Sequence, residues 1–140
     1  MTRKHALNTV LLLVGATIMA LGVNVGLGGI QTLGLQSPTN FVAVRDADIY
    51  QVQDNHVRFI GGVWFCIGGV FALGVWMRRL RPTLIVLCGI IAVAGLFRLS
   101  AWATGVVMTA DILPSLSLEL IGFPALAWWL NADLPNRSAG

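Results

Sequence analysis

Five residues of this sequence combine the chemistry and spacing that could serve a site: Asp54, Asn55, Arg58, Arg98 and Glu119. A carboxylate can accept or donate a proton, and a guanidinium offers a planar fork of donors to phosphate or carboxylate. Asp54 precedes Arg58 by one helical turn, and Ser115 precedes Glu119 in the same way, so each pair lies on one side of a helix. All of them flank or interrupt long apolar runs. A charge at that depth in a bilayer costs on the order of 3 kcal/mol and faces the protein interior or a cavity.

Their depths can be compared from the sequence. At 1.5 Å per residue, Arg98 lies about 24 Å along a helix starting at Pro82, and Glu119 about 8 Å along one starting at Pro114. Both then fall in the same half of a bilayer, so an Arg98–Glu119 ion pair is the natural resolution of two costly charges. The bland interpretation is that the pair fixes helix register, or that Arg98 reaches up to the headgroups. The sharper interpretation is a polar pocket for a lipid headgroup, a small amphiphile or a proton. Catalysis by Glu119 is a third, and it needs a carboxyl whose pKa is raised by burial beside a cavity for substrate.

Familiar catalytic patterns are missing: the sequence holds no Gly-rich phosphate loop, no HExxH, no lipase-type GxSxG and no plausible Cys/His dyad. No catalytic residue is assigned on this basis. Asp46, Asp48, Asp54 and His56 match no EF-hand or zinc spacing, and Cys66 and Cys88 lack a CxxC partner, so neither a metal nor another cofactor is expected. A solvated acidic loop explains the aspartates.

The elements that must position these residues are membrane spans. The 140 residues are 56% hydrophobic and 11% charged, with a mean hydropathy of +0.80. A soluble domain of this size cannot hide so much apolar surface. About 20 apolar residues cross a hydrocarbon core, so the length holds four crossings and little else. The net charge of +3 sits beside the apolar runs, where it sets orientation instead of recruiting nucleic acid.

The expected fold is an all-α membrane protein, a four-transmembrane-helix bundle forming one membrane domain over residues 1–140. Its spans fall at about 7–30, 59–77, 82–105 and 114–130, with an extracytoplasmic loop at about 31–57. The first run also has the basic start of a secretory signal peptide, but it is longer than a usual signal h-region. The short basic turn Arg78 to Pro82 makes the second and third helices antiparallel neighbours. Pro124 predicts a local kink that frees the carbonyl of Leu120.

Arg3, Lys4, Arg78, Arg79, Arg81 and Arg137 flank one side, against Arg45 and Arg58 on the other. By the positive-inside rule both termini are cytoplasmic, and the long loop faces outward with Asp111. Trp76, Trp128 and Trp129 then mark the inner interface and Trp102 the outer one. Small residues recur at packing distance: Ala16 with Ala20, Gly22 with Gly26, Gly68 with Ala72, Ala101 with Gly105. They allow close helix approach within the bundle, in a homo-oligomer or against partner membrane subunits.

The string Asp54-Asn55-His56-Val57-Arg58-Phe59-Ile60-Gly61-Gly62 and its apolar Gly-rich continuation resemble the signature segment of the bacterial domain-of-unknown-function family 4345. Arg98-Leu99-Ser100 and Leu118-Glu119-Leu120 resemble that family's other polar landmarks, and the resemblance covers roughly residues 8 to 130. His56 stands where the family more often carries an acidic residue. The resemblance implies a small four-helix inner-membrane protein and supplies no activity. The functional expectation is therefore a non-enzymatic accessory or interaction subunit of a cytoplasmic-membrane complex, embedded in the lipid bilayer. The rival is binding or transport of a small lipid or amphiphile in an outer polar pocket lined by Asp54, Arg58, Arg98 and Glu119.

Overall fold

The computed structural model describes residues 3–35, 46–100 and 112–134. Among these, all regular structure is helical, and four helices are long and apolar enough to cross a membrane. Two compact units, Met1–Val75 and Trp76–Gly140, each contain one pair of helices.

In the first unit, helix α1 (Arg3–Gly28) runs into a 3-10 segment, Gly29–Leu35, and is paired with α2 (Ala47–Leu73). Asp46 starts α2. Its backbone is extended, and its carboxylate accepts the N–H groups of Asp48 and Ile49 at 3.0 Å each, satisfying two donors that a helix start leaves open. This cap carries the helix well ahead of Phe59, through the polar stretch Tyr50 to His56, which has no apolar signature of its own.

The two helices lie antiparallel and meet backbone to backbone. A Cβ on Gly15 would sit 2.7 Å from the amide nitrogen of Ala72 and 2.8 Å from the carbonyl oxygen of Gly68. Gly22 meets Phe65 and Gly61 in the same way, and Gly61 in turn abuts Gly26. Glycine is required here because any side chain would drive the helices apart, and in lipid it is this close packing that holds helices together. Ala16 and Ala20, singled out by their spacing, are instead exposed, while Gly15 takes the contact. Leu7, Leu11 and Phe71 are fully buried.

In the second unit, a 3-10 turn, Arg78–Leu80, leads into α3 (Arg81–Leu99), with Pro82 in its first turn, where no intrahelical N–H is needed. Helix α4 comprises Leu113–Ser117, a π-helical turn Leu118–Gly122, and Phe123–Ala132. The two helices are antiparallel, since the end of α3 meets the start of α4 at Arg98 and Ser115, and Arg81 meets Asp133 at the other end. Leu84, Cys88, Leu116, Leu126 and Leu130 are buried.

The π turn answers the expectation of a kink at Pro124. Proline has no N–H for the carbonyl of Leu120, and its ring presses on the preceding turn. The chain widens just before it, and the N–H of Phe123 reaches back to the carbonyl of Leu118, one residue further than in an α-helix. The expected residues Arg45, Ala101, Trp102, Gly105, Asp111 and Arg137, with the C-terminal end of the third span, lie outside the described residues.

Candidate functional site

Asp54 and Arg58 act on the end of α1. Gly29 has φ +69, a left-handed conformation that costs a glycine little and terminates the helix. Just beyond it, the N–H of Ile30 donates to Oδ1 of Asp54 at 2.8 Å. Oδ2 of Asp54 accepts from Nε of Arg58 at 2.6 Å, and Nη1 of Arg58 donates to the carbonyl oxygen of Leu27. One carboxylate and one guanidinium, one turn apart on α2, thus satisfy a donor and an acceptor that the end of α1 leaves open. A side chain at Gly29 would collide with the Asp54 carboxylate. Asn55 is exposed and its side chain makes no hydrogen bond among the described residues, while Nδ1 of His56 contacts the carbonyl oxygen of Val52 at 2.8 Å.

Arg98 and Glu119 meet in the other unit. Nη1 of Arg98 donates to Oε1 of Glu119 at 2.6 Å and to Oγ of Ser115 at 3.1 Å. Oγ of Ser115 donates onward to the carbonyl oxygen of Ile112 at 2.9 Å. Gly95, one turn before the arginine, lets the carboxylate in: a Cβ there would lie 2.8 Å from Cβ of Glu119. The side chain of Glu119 is 14% exposed and that of Arg98 38%. Among the described residues, Glu119 Oε2 is buried with no hydrogen-bond partner, and Nε and Nη2 of Arg98 make no hydrogen bond. Glu119 also sits within the π turn, a placement that the sequence reading did not anticipate.

The five candidate residues are divided between the two units. Asp54, Asn55 and Arg58 belong to the first unit, Arg98 and Glu119 to the second. Chemically, the first set caps a helix. The second offers a partly exposed guanidinium with unused donors beside a carboxylate with an unused acceptor.

A third cluster escaped the sequence reading. Asp133, the C-cap of α4, accepts at Oδ2 from Nη1 of Arg81 and from Nη2 of Arg78, the latter at 3.1 Å. The Arg81 side chain is 3% exposed and that of Asp133 9%, whereas Arg78 is 55% exposed. The signal was available: Arg78 and Arg81 open one helix, Asp133 closes the next, and antiparallel helices bring those ends together. By their flanking positions alone, these arginines bear only on orientation. Among the described residues no three His, Cys, Asp or Glu side chains are grouped as metal ligands would be.

No curated protein and no solved structure matches this chain. A family model does, over residues 6–130, described as a domain of unknown function, DUF4345. That match takes in both helix pairs and the polar landmarks at Asp54, Arg58, Arg98 and Glu119, and the chain belongs to this family.

Proposed function

We propose that this protein is a multi-pass accessory or interaction subunit of the bacterial cytoplasmic membrane, without catalysis of its own, and with both termini on the cytoplasmic side. The observation that carries this reading is how the costly polar groups are used. Asp54 and Arg58 close the end of α1, and Arg98 binds Glu119 and Ser115, so each pair joins helices within its own unit. Charges used in this way are structural fasteners. A second line of support is α2 itself: Gly62, Cys66 and Gly69 lie on a side away from α1, with open space at both glycines. A ridge of small residues admits another helix at close range. The orientation rests on the basic residues beside the apolar runs.

Native mass spectrometry of the full chain, extracted in a gentle detergent, tests this. The expected result is a stoichiometric protein component, a second copy or another subunit, in excess of the 15.0 kDa chain, and its loss in the Gly62→Leu variant. A lone monomer carrying a bound small molecule would overturn it.

One observation favours the second reading, binding or transport of a small lipid or amphiphile. The orphan Oε2 of Glu119 and the unused donors of Arg98 are what a polar headgroup would meet in the second unit. On this reading an amphiphile copurifies with the wild-type chain and is absent from Arg98→Ala.

A further inference from the structure

At the basic end of the second unit, three arginines stand within four positions, Arg78, Arg79 and Arg81, and a single described carboxylate, Asp133, meets two of them. Three positive charges against one negative leave +2. The geometry divides the labour. Arg81 is buried and held by Asp133, which fixes the turn. Arg78 is more than half exposed and gives Asp133 only Nη2, so among the described residues its Nε and Nη1 donors remain unused. Arg79 is exposed and makes no ion pair among the described residues. Asp133 therefore orients the cluster without neutralising it.

The surroundings are apolar. Trp76, two residues before Arg78, is 70% exposed, and Trp128 on α4 is 73% exposed. Trp128 stands about 7.5 Å along the helix from Asp133, the depth at which an indole ring meets the boundary between headgroups and acyl chains. Guanidinium groups with free donors, at the same end of the unit as exposed indoles, suit a ligand with an anionic phosphate at one end and hydrocarbon at the other. We infer that Arg78 and Arg79, positioned by Arg81 and Asp133, bind the phosphate of an anionic phospholipid. The cluster then selects such lipids over zwitterionic ones, because the cationic headgroup of the latter meets the same net +2 charge.

This site rests on the membrane reading and is independent of any protein partner. The test uses the full chain in nanodiscs containing phosphatidylcholine with or without phosphatidylglycerol, read by native mass spectrometry of retained lipid. Wild type is expected to retain phosphatidylglycerol in preference to phosphatidylcholine. Each basic residue near an anionic surface contributes about fivefold in affinity, so R78Q/R79Q should lose about 25-fold of that preference. Lys4→Gln, which removes a charge at the start of α1, should keep it. If the double variant loses its helical circular dichroism, Arg79→Gln alone, which breaks no ion pair, should still show the fivefold loss. Equal retention of both lipids by wild type, an equal loss in Lys4→Gln, or displacement of the lipid by millimolar inorganic phosphate would each overturn the proposal. The last would mark a site for soluble phosphate.

Discussion

Asp54 of α2 accepts the backbone N–H of Ile30 at 2.8 Å, immediately after Gly29 has turned α1 to an end with φ +69. The helix terminus is completed from another helix, by a side chain 24 residues further along the chain. Asp54→Ala removes the acceptor for Ile30 and frees Arg58. The expected outcome is faster amide exchange at Ile30 and Thr32 with α1 otherwise intact, measured by hydrogen exchange in detergent micelles.

Gly29 itself offers an independent check. A residue with a Cβ pays about 1–2 kcal/mol for the left-handed conformation and here also meets the Asp54 carboxylate. Gly29→Ala should lower the unfolding midpoint in mixed micelles by at least that equivalent. In the Asp54→Ala background the penalty should shrink, because the collision is gone.

Arg98 and Glu119 form a pair that a double-mutant cycle can weigh. Arg98→Ala should destabilise the chain by about 2 kcal/mol, less than for a fully buried pair because the arginine is 38% exposed. The double variant Arg98→Ala/Glu119→Ala should recover part of the loss, with a coupling of about 1 kcal/mol or more. Strict additivity in steric-trapping measurements would show that the two side chains act independently.

Asp133 is the most exacting of the polar positions, since Arg81 is 3% exposed beside it. Asp133→Ala strips the ion-pair partner from a buried guanidinium, and the expected loss is about 3 kcal/mol. Asp133→Asn, which keeps an acceptor oxygen and removes the charge, should cost less. Thermal unfolding in detergent ranks the two.

The close contact of α1 with α2 predicts a contrast within one helix. Gly61→Leu should break the pair, because the backbone of Gly26 lies where the new side chain must go. Gly62→Leu, with open space around it, should leave monomer stability within about 0.5 kcal/mol. The folded fraction after mild heat treatment separates the two adjacent positions.

How far these features could be read in advance depends on the range over which each is determined. The apolar runs are local, and four helices follow from them directly. The cost of a charge in hydrocarbon is also local, and it picks out Arg98 and Glu119. The start of α2 is local too, but its signal is a cap at Asp46, and hydropathy is blind to a polar helical turn. A spacing of four along one helix does not pick out Gly15. The contact between antiparallel helices instead uses Gly15 and Gly22, a spacing of seven, together with Gly61 and Gly68. The π turn depends on how strain at Pro124 is relieved, and Asp133 matters only once the ends of two helices are joined. Those two features belong to tertiary structure.

On the proposed membrane reading, the separate closure of each helix pair bears on how the chain would enter the bilayer. Within α3 and α4, Arg98 and Glu119 are opposite charges whose partner arrives on the returning helix, and Asp54 with Arg58 cancels within a single turn of α2. If the helices leave the translocon two at a time, the arginine and glutamate cross as a neutral couple, and neither helix has to carry an isolated ion through hydrocarbon. Biogenesis would then proceed by hairpins, with the tie at Asp133 closing the second one only after its last residue has been synthesised.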